Sequence, residues 1–127
     1  TKTSINNLAA SGATNIGDAI NIASNELISV RANPTAAKVE ILLTDGKANK
    51  PNGPGFGEWP ADVAYAEAKA AEAASKGIKI FTIGLGNNVN TAMLQNIAST
   101  TSAEYHFAPT SSDLKGIFEL IAQKFCQ

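Results

Sequence analysis

The chain has 127 residues, 44% of them hydrophobic and 17% charged, and its formal net charge at pH 7 is −1. This length and composition are typical of one globular domain and exclude a disordered tail. The ten basic and eleven acidic residues form no block, and no apolar run approaches the roughly 18 residues that span a bilayer, so we expect neither a nucleic acid partner nor membrane insertion.

The first part of the chain is predicted to be helical. Residues 4–10 favour one short helix, and a clearer helix begins near Asn15, with Thr14 or Asn15 as its N-cap and Asp18 in its first turn. It should end before Pro34. Its apolar residues recur at helical spacing and predict one buried stripe: Ile16, Ala19, Ile20, Ala23, Leu27 and Val30.

Two apolar runs of strand length follow, at residues 39–44 and 78–84. Runs that are apolar on both faces indicate central parallel strands covered by helices. Residues 105–108 predict a third, weaker strand. Between the first two strands, an alanine-rich helix over residues 61–75 should stop at Gly77, which suits a left-handed cap.

Two further helices are predicted, over residues 91–99 and 113–124. The second one places a set of apolar residues at helical spacing, all expected to face the core: Leu114, Ile117, Phe118, Ile121 and Phe125. Alternating helices and strands indicate right-handed crossovers in an open α/β sheet with helices on both faces. A first strand that is apolar on both sides needs neighbours, so the chain is predicted to be the second half of a larger sheet.

Three segments together resemble a von Willebrand factor type A (vWA) domain: residues 11–20 (SGATNIGDAI), 41–46 (ILLTDG) and 77–86 (GIKIFTIGLG). The first resembles the family's threonine loop, whose hydroxyl binds a metal. The second resembles the strand that ends in the family's metal-site aspartate, and the third the next strand with its glycine-rich exit. The resemblance covers essentially the whole chain and implies a three-layer, Rossmann-like parallel sheet.

One departure from the family pattern stands out. The family's metal-ion-dependent adhesion site (MIDAS) opens with an Asp-x-Ser-x-Ser motif at the end of its central strand, and this sequence contains no such motif. The resemblance therefore implies that residues 1–127 are the C-terminal portion of a single vWA domain. We expect the remaining strands to come from a separate or missing N-terminal fragment of the same domain.

The resemblance implies that Thr14 and Asp45 are metal ligands. Hard divalent cations prefer oxygen donors, and Mg²⁺ is our first choice, with Ca²⁺ or Mn²⁺ as alternatives. In such sheets, ligands bind beyond the carboxyl ends of the strands. An N-cap role for Thr14 and a turn-forming role for Asp45 remain alternatives. We expect three further residues at the rim of the site or behind its ligands: Asn15, Asp18 and Gly46.

The function implied by the resemblance is adhesion or protein binding without catalysis. A protein or cell-surface ligand would complete the shell of the cation with an acidic residue. One alternative is an assembly domain of a surface fibre or pilus with an incomplete metal site. Another is a small hydrolase or phosphotransfer domain that uses Asp45. The single histidine, His106, lies in the weak third strand and is expected to pack there, so we expect no Ser/His/Asp triad.

Two features outside these motifs also bear on function. The glycine- and proline-rich loop over residues 47–60 carries Phe56 and Trp59, which either contact the ligand or, for Trp59, anchor the next helix. The single cysteine, Cys126, is a spare thiol or, as in some secreted family members, half of a disulfide to the missing segment. Low charge and many Asn, Ser and Thr residues favour an extracellular or cell-surface location.

Overall fold

Three parallel strands, separated by helices, make up the sheet of the described part of the chain. The computed structural model describes residues 2–7 and 12–125. In chain order the elements are α1 (Lys2–Asn6), α2 (Ile16–Leu27), β1 (Val39–Thr44), α3 (Pro60–Ser75), β2 (Lys79–Leu85), α4 (Thr91–Thr100), β3 (Tyr105–Ala108) and α5 (Leu114–Gln123), with a 3₁₀ turn at Ser111–Asp113 before α5.

The strands lie in the order β1-β2-β3, and all pairs are parallel. Val39 pairs with Lys79, and Thr82 pairs with Tyr105. All three strands therefore end at the same edge of the sheet, where the loop after β1 carries Asp45. This confirms the predicted α/β fold with a parallel sheet.

Helices cover both faces of the sheet and form two cores. On one face, α2, α3 and α4 pack around Ile20, Ile80 and Leu94, which are at most 1% exposed. The alanines of α3 that face this core have no exposed surface, and their small size lets the helix lie close to α2 and the sheet. On the other face, α5 contributes Ile121 to a smaller cluster with Ile83. The arrangement has three layers, as predicted.

Two predicted helix stripes are wrong in part. Val30 is fully exposed, because α2 ends at Leu27 and the chain turns before it reaches Val30. On α5, Phe118 is 39% exposed, since only one stripe of the helix faces the sheet. Phe125 follows α5 and is also partly exposed, although its ring meets that of Phe81 edge to face. Of the short helix predicted at residues 4–10, the structure has α1, and residues 8–10 lie outside the described residues.

The edge strand β1 is only partly covered by helices. Ile41 and Leu43 lie on the face that α5 covers farther along, and each is 42% exposed. A groove of about 320 Å³ runs between α2 and β1, with Ala23, Leu27 and Leu42 among its lining residues. Within the described residues, no helix is long and apolar enough to cross a membrane.

Candidate metal site

Thr14 and Asp45 meet at the carboxyl end of the sheet. A Cβ atom built on Gly46 would lie 3.0 Å from the hydroxyl oxygen of Thr14, so the two loops are in contact at the residue after Asp45. A side chain at this position would crowd the hydroxyl. Both residues line an open cleft of about 470 Å³, together with Ala13, Asn15, Leu43, Thr44 and Leu85.

The hydroxyl of Thr14 does not cap α2. Asn15 is the N-cap, and its side-chain oxygen accepts a hydrogen bond from the backbone N–H of Asp18 at 3.1 Å. In the described part of the chain, no group hydrogen-bonds to the Thr14 hydroxyl. Because Asn15 takes the capping role, the Thr14 oxygen is available to a ligand in the cleft.

Asp45 follows β1 in a turn that is shaped by its neighbour. The Thr44 hydroxyl accepts a 3.2 Å hydrogen bond from the backbone N–H of Gly46, which closes a short side-chain turn around Asp45. Thr44 itself is buried, whereas Asp45 is exposed. The turn thus holds a carboxylate at the strand end where it reaches both the cleft and solvent.

Asp18 lies behind the N-cap, between α2 and α3. Its carboxylate accepts hydrogen bonds from the Asn15 side chain at 2.5 Å and from the Tyr65 hydroxyl at 2.7 Å. The hydrogen bond to Asp18, with burial and the same negative charge, raises the pKa of the Tyr65 phenol. Asn15 lines the cleft and Asp18 does not, so Asp18 reaches the site only through Asn15.

The loop between β1 and α3 is fixed by two buried polar side chains that the sequence analysis did not single out. The side-chain oxygen of Asn49 accepts a 2.8 Å hydrogen bond from the backbone N–H of Thr14, and the backbone N–H of Asn49 donates to the Thr14 carbonyl at 3.1 Å. Asp62 has no exposed surface and accepts hydrogen bonds from the backbone N–H groups of Asn52 and Gly53 and from the Asn52 side chain. No local sequence pattern marks these contacts, because each partner lies far along the chain or in an irregular loop.

Burial and hydrogen bonding act in opposite directions on Asp62. Removal of the carboxylate from water favours its neutral form, but three donated hydrogen bonds and nearby Lys50 stabilise the charge. The hydrogen bonds prevail, and the pKa of Asp62 is held below its ordinary value. Asp62 is therefore a charged anchor for the loop.

The aromatic residues of this loop differ in their surroundings. Phe56 is 75% exposed and follows Gly55, where an added Cβ atom would lie 3.2 Å from the side chain of Ala13 in the threonine loop. Trp59 is 43% exposed, and its backbone N–H donates to the Ala48 carbonyl just before α3 begins. Trp59 thus helps to anchor the start of α3, and Phe56 projects from the loop.

The single histidine lies away from the cleft. His106 is in β3, as predicted, with its Nε2 atom buried and 3.6 Å from a carboxylate oxygen of Glu104. The predicted disulfide of Cys126 lies outside the described residues.

The arrangement of threonine loop, strand-end aspartate and parallel sheet has counterparts in known proteins. A family model of the von Willebrand factor type A domain matches residues 2–120. The chain belongs to this family. Curated protein sequences contain no match to the chain.

Solved vWA structures resemble the chain over most of its length. Proximal thread matrix protein 1 from the mussel byssus is 28% identical, with a TM-score of 0.67, and the match covers 98% of this chain and 28% of that one. BatB from Bacteroides thetaiotaomicron is 22% identical, with a TM-score of 0.65, and the match covers 94% of this chain and 62% of that one, a likeness that shows the fold alone. The chain thus spans less than two thirds of the length of either structure.

A further structure of the mussel protein has a zinc-occupied MIDAS motif, with 28% identity and a TM-score of 0.65 over 98% of this chain and 28% of that one. In the present vWA chain, no group of three or more His, Cys, Asp or Glu side chains able to hold a metal ion lies within the described residues. The Thr44 hydroxyl is engaged with Gly46, so the cleft offers the Asp45 carboxylate and the neutral Thr14 hydroxyl, a donor set that fits a hard cation but leaves most of its coordination positions open.

Proposed function

We propose that this vWA chain supplies two ligands of a divalent-cation site through which the domain binds a protein. The observation that carries the proposal is the position of the Thr14 hydroxyl: it faces the residue after Asp45, in an open cleft, with the capping of α2 left to Asn15. Threonine hydroxyl and aspartate carboxylate are oxygen ligands of the kind that Mg²⁺, Ca²⁺ and Mn²⁺ accept. Mg²⁺ is the first choice for the cation.

The chain contributes little negative charge to the site, and this affects the bound cation. A cation that receives only one carboxylate from this chain keeps most of its positive charge and exchangeable positions. An acidic side chain of a protein or cell-surface ligand would then complete the shell. Phe56, exposed on the neighbouring loop, is proposed to contact the same ligand beside the acid. This function is binding, without turnover, at an extracellular location.

We further propose that a segment from the N-terminal part of the same domain adds a strand along β1. Among the described residues, no strand pairs with the outer edge of β1, and Ile41 and Leu43 expose apolar surface beside it. The groove between α2 and β1 gives the added segment apolar contacts at Leu27 and Leu42. A strand placed here would end next to Asp45 and could supply the missing ligands.

The cation site is tested with Mn²⁺, which broadens the NMR signals of nuclei close to it. We expect trace Mn²⁺ to broaden the amide signals around Thr14 and Asp45 selectively, and excess Mg²⁺ to reverse the effect. Asp45→Asn should abolish it with no change of side-chain size. Glu119→Gln removes an exposed carboxylate of α5 and should leave the broadening as it is in the unaltered chain. Equal broadening in the unaltered chain and in Asp45→Asn would refute the metal assignment.

The added strand is tested by amide hydrogen exchange. In this chain alone, those amides of β1 that point away from β2 should exchange fast, and an N-terminal fragment of the domain should protect them. Cation affinity should rise at the same time. If the fragment binds while these amides continue to exchange fast, the added strand does not lie along β1.

Assembly is the second candidate function, and the likeness to a thread matrix protein favours it. An assembly domain would bind its neighbours through the same fold without needing the cation. A chelator distinguishes the two functions. Partner binding that persists unchanged in EDTA supports assembly, and partner binding that is lost in EDTA supports the cation site.

A further inference from the structure

The position of Thr14 depends on a residue outside the recognised motifs. Thr14 precedes the N-cap of α2, so the hydrogen bonds of the helix do not fix it. Its backbone is instead held at two points by Asn49, whose side-chain oxygen accepts from the Thr14 N–H and whose own N–H donates to the Thr14 carbonyl. These two bonds set both the place and the direction of the Thr14 peptide.

Asn49 is in turn held from the other side. Its side chain is buried, with the residue 7% exposed, and its amide nitrogen donates to the Gly57 carbonyl at 3.2 Å. This donor fixes which way the amide faces, and so the oxygen must point toward Thr14. The rest of the loop is fastened at Asp62 through Asn52 and Gly53.

The same segment connects directly to the other candidate ligand. Asn49 lies four residues after Asp45. Between them in the sequence is Gly46, whose backbone lies against the Thr14 hydroxyl. The segment from Asp45 to Asn49 therefore connects the two candidate ligand residues, because Asn49 is hydrogen-bonded at two points to Thr14. A change at Asn49 alters the spacing of the ligands without touching either ligand side chain.

We propose that Asn49 is the positioning residue of the cation site, and that it holds the Thr14 hydroxyl within reach of a cation bound to Asp45. This inference rests on the proposed function, because a cation must bind for the spacing to matter. Asn49 does not itself bind the cation: its side-chain oxygen and nitrogen are both engaged in the hydrogen bonds described.

Two measurements on the whole chain test the proposal. The first is hydrogen exchange at the Thr14 amide, which should accelerate by about tenfold in Asn49→Ala, as expected when a buried hydrogen bond is lost. The second is Mn²⁺ broadening: in Asn49→Ala the Asp45 signal should still broaden, whereas the Thr14 signal should lose most of its broadening. A purely structural role would change the exchange rate alone.

Matched variants make the test specific. Asn49→Asp keeps an oxygen acceptor for the Thr14 N–H but loses the donor to the Gly57 carbonyl, and should restore part of the slow exchange and part of the Thr14 broadening. Asn52→Ala breaks a hydrogen bond of the same loop to Asp62, not to Thr14, and should leave both readouts at Thr14 unchanged. If Asn49→Ala does not fold, Asn49→Ser keeps a small polar group in the same place but is too short to reach the Thr14 amide, and it should show the same pattern.

The outcomes are distinct. Broadening at Thr14 that is equal in Asn49→Ala and in the unaltered chain, with faster amide exchange, would overturn the positioning role and leave the cation site standing. Absence of broadening at both Thr14 and Asp45 in the unaltered chain would instead refute the proposed function, and the positioning role with it, whatever the exchange rates.

Discussion

The hydroxyl of Tyr65 on α3 donates a 2.7 Å hydrogen bond to the carboxylate of Asp18 on α2, and so joins the two helices next to the threonine loop. The same carboxylate accepts from Asn15, the residue after Thr14. The contact therefore links the packing of the helices to the start of α2, and its removal should lower the stability of the chain.

Tyr65→Phe should lower the thermal unfolding midpoint by a few degrees, because a hydrogen bond to a carboxylate is lost. Thermal denaturation followed by circular dichroism measures the change. Tyr105→Phe is the control, since the Tyr105 hydroxyl makes no hydrogen bond to any described residue. The pKa of Tyr65 is raised, so its contribution is full below about pH 10 and is lost as pH rises through the folded-state pKa. A stability difference between Tyr65→Phe and the unaltered chain that does not shrink in strong alkali would contradict this account.

Gly17 permits the close approach of Tyr65. A Cβ atom at Gly17 would lie 2.2 Å from Cδ1 of the Tyr65 ring, well inside contact distance. Gly17→Ala should therefore destabilise the chain by about 1–3 kcal/mol, despite the better helix propensity of alanine. In a Tyr65→Ala background the clash is absent, and Gly17→Ala should be neutral or stabilising. Equal costs in both backgrounds would show that the ring is not responsible.

Glu40 should make the chain less stable as pH rises. The residue is 8% exposed; burial raises the pKa of its carboxyl, although the Ser24 hydrogen bond and Lys76 act in the opposite direction. A raised folded-state pKa means that stability is greatest below the unfolded value of about 4.3 and falls as pH rises through the folded-state value. Glu40→Gln keeps the acceptor for Ser24 and should remove this loss. Urea midpoints measured from acid to neutral pH will show whether the two curves diverge as pH rises.

Asp62 should have the opposite pH dependence. Its pKa is lowered, so its contribution to stability is full above the unfolded value of about 3.9 and is lost as pH falls through the folded-state value. Asp62→Asn exchanges one acceptor oxygen for an amide group that faces a backbone N–H. It should lower the urea midpoint at neutral pH, and the difference from the unaltered chain should narrow in acid. Glu119→Gln, at an exposed site, should show neither effect.

The main elements of the fold followed from local patterns. β1 and β2 are mostly apolar runs, and the alanine-rich helix stops beside Gly77, which has the positive φ that a left-handed cap requires. The direction of the parallel strands was enough to place Asp45 at the edge of the sheet, and the vWA resemblance placed Thr14 next to it. Such features depend on neighbours in the sequence or on the rules of sheet topology, and so they can be predicted from the sequence.

Other features depend on contacts that no periodic pattern records. Apolar spacing could not show that the helix ends before Val30, nor that α5 leaves Phe118 partly exposed. Asn49 looked like any polar residue of a glycine- and proline-rich loop. Its importance comes from a partner 35 residues away, across a helix and a strand.

That separation affects how the molecule folds. The hydrogen bonds of helix α2 are local, but the contact between Thr14 and Asn49 joins residues 35 positions apart and requires a loop of that size to close. A protease cut between Asp45 and Asn49 would therefore place Thr14 and Asn49 on different fragments, although both form hydrogen bonds with each other in the intact chain. An intact Thr14–Asn49 contact therefore reports that the chain between these two residues has reached its native arrangement.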